Sequence, residues 1–312
     1  MGVIGAPVVP PGYPAATENL AHRFRPAGVL DVTGADRESF LQGQLTQEMR
    51  GLAPGESRAA AGLTPKGKLL FVARVLGLED RIRIVVPETL RQPVLDHLRK
   101  YAVFTKVAIE DRTQDFVRVA VFGPAGAGLA VPGSIERLPA KGELSADLLA
   151  PAHARGELEA LLRDAGSAEI SEETAEILRV EAGRPRFGTD MNMTNLPDEV
   201  GMDDAISTTK GCYVGQEVVA RLRTYGRVNR RLVSFRFPDG AIPAGELLRL
   251  PGEEVPSKIE AGRVTSSAVS PQLGPIGLGY AFRDVEPGAR LVSASSPSLS
   301  AIVGTLGSPV VR

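Results

Sequence analysis

The sequence predicts an α+β protein in which a region of mixed helices and strands precedes a small domain made of strands alone. The chain has 312 residues, which corresponds to two domains of about 150 residues each. Hydrophobic residues make up 43% of the chain and charged residues 23%, a composition typical of globular proteins. Helix-like and strand-like apolar patterns both occur before residue 231, whereas only strand-like runs follow it.

The first part of the chain alternates between segments with helical spacing of apolar residues and strand-like runs. The predicted helices cover residues 36–49, 93–101, 158–162 and 172–182, and the predicted strands cover 69–78, 81–86 and 117–122. Ser171 is a suitable N-cap for the last of these helices, and Gly183 stands where a left-handed residue commonly ends a helix.

The C-terminal part contains only short strand-like runs, separated by Pro-Gly, Gly-Pro and Ser-Pro turns. These runs predict a small antiparallel barrel or sandwich of about 80 residues. They cover 232–237, 246–250, 262–268, 276–282, 290–294 and 300–306. We therefore expect a domain boundary near residue 232.

The first twenty residues differ from both parts, because they carry four prolines among small residues. Such a segment buries too little apolar surface to offset the loss of chain entropy on folding. We therefore expect a flexible arm over residues 1–20, a mixed α/β region over 21–231 and a β-domain over 232–312.

Charge, cysteine and histidine content exclude several classes of function. The net charge is -1, so no overall field directs the chain to nucleic acid, and we expect no direct DNA binding. Cys212 is the only cysteine and the histidines stand far apart in the sequence, which excludes an internal disulfide and argues against a protein-only metal site. No apolar stretch is long enough to span a membrane. The start of the chain carries no targeting signal, so we expect a cytoplasmic protein.

Two glycine-rich segments resemble nucleotide-binding motifs but lack a required residue. Residues 62–68 fit the start of a phosphate-binding loop, yet Leu69 stands where a hydroxyl for magnesium is required, and a strand follows instead of a helix. Gly126 and Gly128 begin a dinucleotide fingerprint, but Val131 replaces its third glycine. We predict a hairpin turn in the first segment and no nucleotide site in either.

The densest group of informative residues surrounds Cys212. Glycines at positions 211 and 215 indicate a tight backbone, and an apolar helical face begins at Val218. A thiol that precedes a helix and stands beside Lys210 favours the reactive thiolate if the sulfur is exposed. A buried, inert cysteine is the alternative that these residues leave open.

Basic residues accumulate around and after the cysteine. Within 210–231 a single acid, Glu217, is accompanied by Lys210, Arg221, Arg223, Arg227, Arg230 and Arg231. These residues could hold the glutamate tail of a folate, a phosphate or an RNA backbone, and a solvated helix face beside a domain boundary is the alternative. Glu181 is a separate candidate, because a carboxylate can accept two parallel hydrogen bonds from an amino-pyrimidinone such as a pterin.

Residues 210–217, Lys-Gly-Cys-Tyr-Val-Gly-Gln-Glu, together with residues 178–191, resemble the YgfZ family of folate-binding proteins. These proteins are relatives of the glycine-cleavage T-protein, an aminomethyltransferase. Further matching stretches extend the resemblance to nearly the whole chain beyond residue 20. They cover 32–36, 40–44, 64–68, 101–106, 262–267 and 277–281.

The resemblance implies a fold, a cofactor and a set of site residues. We expect a T-protein-like ring of two mixed α/β lobes plus a C-terminal antiparallel β-barrel, with tetrahydrofolate in the central hole. By their matching positions, Glu181 would contact the pterin and Cys212 is the motif cysteine. The other expected cofactor contacts are Lys210, Tyr213 and Arg223, and the residues expected to shape the motif are Gly211, Gly215, Gln216 and Glu217.

The resemblance also implies a function. Family members support the assembly or repair of iron-sulfur enzymes, including radical enzymes that modify tRNA, and they are not known as turnover catalysts. T-proteins promote methylene transfer with a loop aspartate, and Val94 stands at the matching position here, with Asp96 two residues away. Because valine can neither accept a proton nor stabilise a cation, we expect an accessory role through Cys212. The alternatives are a folate-dependent one-carbon transferase acting on protein or tRNA, and a module that only senses folate.

Overall fold

Two five-stranded sheets and a closed six-stranded barrel form the fold. The computed structural model describes residues 8–140, 142–252 and 260–307. In chain order the helices are α1 (Tyr13–Glu18), α2 (Arg37–Gln44), α3 (Arg91–Ala102), α4 (Arg155–Asp164), α5 (Glu172–Glu181) and α6 (Gln216–Tyr225). The strands are β1 (Ala21–Phe24), β2 (Ala27–Thr33), β3 (Ser57–Leu63), β4 (Leu69–Gly77), β5 (Arg81–Pro87), β6 (Ala108–Asp111), β7 (Phe116–Phe122), β8 (Glu136–Leu138), β9 (Leu144–Pro151), β10 (Ala168–Glu169), β11 (Arg230–Arg236), β12 (Leu247–Arg249), β13 (Gly262–Ser270), β14 (Gly274–Phe282), β15 (Arg290–Ser293) and β16 (Ser300–Val303). Short 3-10 helices cover Glu88–Leu90, Thr113–Asp115, Pro124–Gly128, Ala152–Ala154, Pro197–Glu199 and Asp203–Ala205.

The first sheet is antiparallel, with the strand order β3-β4-β5-β2-β6. Helices α2 and α3 pack on it, and α3 buries Val94, Leu95 and Leu98 in the same core. Strands β3 and β4 form a hairpin, in whose turn the Gly67 N–H donates to the Thr64 carbonyl at 2.9 Å. The predicted hairpin turn is therefore confirmed.

The second sheet has the strand order β10-β1-β7-β9-β8, in which β10 and β1 are parallel and the other pairs antiparallel. Helix α5 packs on it through residues that include Ile177 and Leu178. Ser171 Oγ accepts a hydrogen bond from the Thr174 N–H at 3.1 Å, and Gly183 has a φ of 65°. Both capping residues predicted for this helix are confirmed.

The N-terminal segment differs from the expected flexible arm. Tyr13 and Ala16 on α1 are buried in the same core as Phe122 and Ile170, and Leu20 is also buried. Apolar side chains between the prolines therefore bury enough surface to order residues 13–20. The expectation of a flexible arm is corrected for these residues, and its first part, residues 1–7, lies outside the described residues.

The C-terminal barrel closes in the strand order β11-β14-β13-β12-β15-β16. Its interior includes Phe235, Leu248, Val264 and Leu291. All six strands predicted after residue 231 are present, because each has apolar residues that face this shared core. The predicted α+β class with a C-terminal antiparallel β-barrel is confirmed.

A buried ionic network joins the two sheets. Arg83 on β5 binds Asp31 on β2 through Nε and Nη2, at 2.7 and 2.8 Å. Its Nη1 donates to Glu136 on β8, in the other sheet, at 2.5 Å. Both Asp31 and Arg83 are buried, so each charge requires its partner. The network therefore fixes the first sheet against the second.

Candidate functional site

The only cysteine of the chain lies on an exposed loop that precedes α6. We name residues 210–215 the Cys212 loop. Gly211 and Cys212 are exposed, whereas Lys210 and Tyr213 on either side of them are buried. The thiol is free. Of the two alternatives left open by the sequence, the structure shows the exposed thiol and not the buried, inert one.

The Lys210 ammonium group fastens the first residue of the Cys212 loop. Its Nζ donates at 2.8, 2.6 and 2.9 Å to the carbonyl oxygens of Gln42, Leu45 and Gln47, at the end of α2 and just after it. An ammonium group has three protons, and all three are used. These bonds give Lys210 a structural role, and its expected contact with the cofactor stays a prediction. Burial lowers the pKa of Lys210 to about 8, while the three carbonyl oxygens oppose that shift by stabilising the charged form.

Tyr213 anchors the Cys212 loop on the C-terminal side of the exposed residues Gly211 and Cys212. Its side chain is buried in a core cluster with Leu63 and Tyr280, and Lys210 Nζ lies 5.0 Å from its ring centroid. Burial raises the pKa of Tyr213, so its hydroxyl is neutral at physiological pH. The ring belongs to the core, and the expected contact of Tyr213 with the cofactor stays a prediction.

Gly215 lets the loop turn into α6 against the β3–β4 hairpin. Its φ is 82°, and a Cβ at this position would lie 2.5 Å from the Thr64 carbonyl oxygen. The side chain of Gln216 supports the same turn, since its Oε1 accepts from the Tyr213 N–H at 3.3 Å. Gly211 differs from its expected structural role: a Cβ there would meet no atom within 4 Å. Glu217 is exposed on the first turn of α6.

Arg223, in the last turn of α6, pairs with acidic residues of two neighbouring turns. Its Nε donates to Asp198 at 2.7 Å, and its Nη2 donates to Asp203 at 2.8 Å. Two carboxylates therefore already neutralise this guanidinium. The expected contact of Arg223 with the cofactor stays a prediction.

The remaining basic residues near Cys212 are divided between structural contacts and solvent. Arg230 lies over the Tyr280 ring and 3.5 Å from Glu199, and Arg231 donates to backbone carbonyls of the barrel. Arg221 and Arg227 are exposed. Of the six basic residues of the cluster, three therefore hold α6 and β11 in place, Lys210 holds the Cys212 loop, and two arginines face solvent.

Glu181, the last residue of α5, faces the N-terminal helix. Its Oε1 accepts a hydrogen bond from the Tyr13 hydroxyl at 2.6 Å. Burial, together with the charge of Glu181, raises the pKa of Tyr13, which keeps the hydroxyl protonated as a donor. The carboxylate is thus oriented by a residue that the sequence analysis assigned to a flexible arm.

Arg179 and Asp190 form a polar hub that the sequence analysis did not single out, although both lie in the matching stretch 178–191. Their side chains are buried and meet at 2.6 Å between Arg179 Nη1 and Asp190 Oδ2. Asp190 Oδ1 accepts from Thr265 and Ser266 of β13, each at 2.6 Å. The hub therefore attaches α5, and with it Glu181, to the barrel.

A second unanticipated feature is a buried charge cluster at the seam between the two sheets. Asp147 on β9 binds Nε and Nη2 of Arg118 on β7, both at 2.8 Å, and lies 3.3 Å from Nε of Arg74 on β4. Glu143 lies 3.8 Å from Arg184, just beyond α5. Burial lowers the pKa of Arg74 to about 10. Burial would raise the pKa of Asp147, but its two arginine partners lower it.

The predicted site residues fall into two places. The Cys212 loop lies against the end of α2 and the β3–β4 turn. Glu181 instead lies against α1, three residues before Arg184 of the charge cluster. Among the described residues, no hydrogen bond or ion pair joins Glu181 to the loop. Within the same ranges, no three His, Cys, Asp or Glu side chains are grouped as metal ligands. No helix there combines the length and apolarity that a membrane span requires.

Comparison with known proteins gives relatives that extend over most of the chain. No protein-family model matches it. A protein of Escherichia coli named tRNA-modifying protein YgfZ is 30% identical over 265 residues, which cover 77% of this chain and 80% of the relative. A protein of the same name from Hamiltonella defensa is 31% identical over 253 residues, 73% of each chain.

A solved structure shares the fold. The glycine cleavage system aminomethyltransferase T from Bartonella henselae matches with a TM-score of 0.82 and 21% sequence identity, over 94% of this chain and 87% of the other. The expected T-protein-like architecture is thereby confirmed. Since the E. coli and H. defensa relatives add sequence identity over most of their own length, the chain belongs to the YgfZ family.

Proposed function

We propose that this chain is a cytoplasmic, tetrahydrofolate-binding accessory protein that supports the assembly or repair of iron-sulfur enzymes through Cys212. The observation that carries the proposal is a free, exposed thiol on a loop that is fastened on both sides. The clients would include enzymes that modify tRNA. The name of the E. coli relative, tRNA-modifying protein YgfZ, supports this link.

The anchoring of the loop explains why the thiol stays accessible. Only Gly211 and Cys212 lie between the buried side chains of Lys210 and Tyr213. With both neighbours fixed, the cysteine cannot turn inward to pack as a small hydrophobe, which is the usual fate of a lone cysteine. An exposed thiol in a fixed position is suited to contact with a partner macromolecule.

The number of cysteines limits what the thiol can do with a cluster. Iron-sulfur clusters are held by four protein ligands, and this chain has one cysteine. Cys212 would therefore contact a cluster whose other ligands belong to the client or to glutathione, or contact a persulfide on a partner. We propose a transient contact and not stable cluster binding.

Glu181 is the residue best suited to orient a reduced pterin. One of its oxygens accepts from the Tyr13 hydroxyl, and the carboxylate has further lone pairs that can accept two parallel N–H donors. Bound tetrahydrofolate can carry one-carbon units. In this chain Glu181 would hold the pyrimidine edge of the cofactor, and Tyr13 would hold Glu181 in place.

The folate site is tested by calorimetric titration of the purified full chain with tetrahydrofolate. We expect saturable binding by the wild type and at least about tenfold weaker binding by Glu181→Gln, because a charge-assisted hydrogen bond is worth about 1.5–3 kcal/mol. Glu217→Gln is the matched control, since Glu217 is exposed on α6. Equal affinity of wild type and Glu181→Gln would contradict the assignment of Glu181.

The thiol is tested in a strain that lacks its own copy of the gene. Activities of several iron-sulfur enzymes are measured after complementation with wild type, Cys212→Ser and Gly211→Ala. We expect wild type and Gly211→Ala to restore activity, because position 211 has open space for a methyl group. We expect Cys212→Ser to fail at equal protein level. Full restoration by Cys212→Ser would show that the thiol has no part in the function.

One-carbon transfer to tRNA is the competing function, and one surface feature favours it. Tyr225 is 88% exposed at the end of α6, near the exposed Arg221 and Arg227 in the chain, and such aromatic and basic residues can stack on and bind RNA. Against transfer, Val94 is buried in the core under α3, and Asp96 is exposed on the other side of that helix. Turnover of methylene-tetrahydrofolate by purified protein with tRNA would establish the transferase; we expect none.

A further inference from the structure

Two nitrogens of the Arg25 guanidinium group lack a hydrogen-bond acceptor in the part of the chain that the structure describes, although the group lies 5.6 Å from the centroid of the Phe122 ring. Arg25 follows β1, where its N–H donates to the Arg118 carbonyl at 3.0 Å. Its Nε and Nη2 atoms are buried and make no hydrogen bond. A buried charged donor without an acceptor is costly, and native proteins rarely retain one without a reason.

Other arginines of this protein show what the Nε and Nη2 edge of a guanidinium group binds. Nε and Nη2 point in the same direction and together match the two oxygens of a carboxylate. In this structure that edge holds a carboxylate side-on, at 2.6–2.9 Å, in Arg83 with Asp31, in Arg118 with Asp147 and in Arg179 with Glu176. Arg25 offers the same two donors, and no carboxylate of the described residues bonds to them.

The acids in the electrostatic surroundings of Arg25 are engaged elsewhere. They include Glu143, Glu172, Asp147 and Glu176, and the nearby cations include Arg118 and Arg186. Asp147 binds Arg118, and Glu176 binds Arg179 and Arg186. Glu172 binds Arg23 at 2.9 Å and Arg186 at 3.2 Å. Glu143 lies 3.8 Å from Arg184. Burial lowers the pKa of Arg25, which agrees with a guanidinium whose charge the protein itself does not fully compensate.

Glu143 adds an unsatisfied acceptor to the same surroundings. Its Oε2 is buried and accepts no hydrogen bond among the described residues. Glu143 Oε2 faces Arg184 at 3.8 Å without a hydrogen bond. Two donors of Arg25 together with this acceptor suit a group that has a carboxylate next to an N–H. A glutamyl residue joined through its amide nitrogen has this arrangement at its α-carbon.

We propose that Arg25 binds the α-carboxylate of the glutamyl tail of the bound folate, with Glu143 Oε2 accepting from the adjacent amide N–H. The proposal rests on the folate-binding function proposed above and places the tail at the seam between the two sheets. Glu143 lies 3.8 Å from Arg184, which follows Glu181 by three residues in the chain. The Arg25 edge would then hold a carboxylate in the same side-on way as these other arginines.

The test compares two ligands on the full-length protein. One is tetrahydrofolate, and the other is 6-methyltetrahydropterin, which has the same ring but no glutamyl tail. We expect Arg25→Gln to weaken tetrahydrofolate binding about tenfold or more and to leave the affinity for 6-methyltetrahydropterin unchanged. Arg23→Gln, two residues earlier on β1, is the matched control, because Arg23 already pairs with Glu172. We expect it to change neither affinity.

The outcomes separate the two proposals. If the wild type binds neither ligand, the folate function is overturned. If tetrahydrofolate binds wild type and Arg25→Gln equally, the folate function stands and the role of Arg25 is overturned. Equal weakening of both ligands in Arg25→Gln also overturns it, since the residue would then act on the fold and not on the tail. Thermal unfolding adds an independent readout: without ligand, Arg25→Gln should unfold no earlier than the wild type, because it removes a buried charge whose Nε and Nη2 have no hydrogen-bond acceptor.

Discussion

Lys210 shows that a charged residue inside a functional motif can serve the fold. Its ammonium group satisfies three backbone carbonyls around the end of α2. We expect Lys210→Met to lower the free energy of unfolding by about 3 kcal/mol, because the substitution leaves these acceptors without a donor. Urea denaturation followed by circular dichroism measures the change.

A matched control separates this structural role from a role in binding. Lys66→Met removes a lysine that is exposed in the β3–β4 turn, and it should change stability by less than about 0.5 kcal/mol. If Lys210→Met were as stable as the wild type but bound tetrahydrofolate weakly, Lys210 would be a ligand contact after all, and the structural assignment would be contradicted.

The site residues differ in how far their sequence revealed their roles. The sequence left two alternatives for Cys212, an exposed reactive thiolate and a buried inert thiol. The exposed form was anticipated from the neighbouring lysine and the helix that follows, which both favour a thiolate. Lys210 and Arg223 were assigned to a ligand because they are basic and near that cysteine. Their partners in the structure are backbone carbonyls 163–168 positions away for Lys210, and acids in irregular turns for Arg223. No local pattern encodes such contacts.

Two half-buried histidines predict a loss of stability in mild acid. Burial lowers the pKa of His22 and of His97 below 6.5, and the charge of Lys100 adds to the effect at His97. The unfolded chain therefore binds protons at these two positions at a higher pH than the folded chain does. Because stability falls where the unfolded state takes up more protons, the free energy of unfolding should decrease as the pH drops below about 6.5.

Urea midpoints at pH 7 and pH 5.5 measure this effect. The variant His22→Gln/His97→Gln should show a smaller difference between the two midpoints than the wild type shows. His153→Gln is the control, since His153 is exposed, and it should keep the wild-type difference. An unchanged difference in the double variant would assign the acid sensitivity to carboxylates instead.

At the scale of elements, the turn from the Cys212 loop into α6 depends on a single glycine. Gly215 has a φ of 82°, and an added Cβ would press on the Thr64 carbonyl. We expect Gly215→Ala to cost at least about 2 kcal/mol, from the left-handed backbone and from the displaced hairpin. Gly211→Ala should be nearly neutral, because its surroundings are open. The two substituted positions lie four residues apart, and thermal unfolding compares the stabilities of the two variants. Equal stabilities would contradict the proposed docking of α6 on the hairpin.

Several elements with strong apolar periodicity were predicted, whereas strand β3 and helix α1, which lack it, were missed. The six barrel strands and α3 each present a regular apolar pattern, and each is present in the structure. Strand β3 was missed, because its sequence Ser-Arg-Ala-Ala-Ala-Gly-Leu has no β-branched or aromatic residue. Helix α1 was missed because proline and small residues conceal its two buried positions, Tyr13 and Ala16. In both cases tertiary packing, and not local propensity, decides the conformation.

At the scale of the whole molecule, the polar seams between the three parts could not be foreseen. Each seam pairs residues that are distant in the chain, such as Arg83 with Glu136 across the two sheets and Asp190 with Ser266 between the hub and the barrel. Periodicity reveals which side of an element is buried, but it carries no information about which element covers it. The resemblance to T-proteins supplied the arrangement of the parts, and the structure supplies the side chains that hold them.

The Asp190 hub gives a test of whether these parts unfold together. Asp190→Asn removes the charge that faces Arg179 and leaves that guanidinium without one of its buried partners. We expect a loss of about 3–5 kcal/mol and faster amide hydrogen exchange in both α5 and β13, because the hub joins these two elements. Asp164→Asn, whose side chain is 78% exposed, should change neither. Faster exchange confined to residues 184–195 would mean that Asp190 only orders its own loop, and that the barrel holds α5 by apolar packing alone.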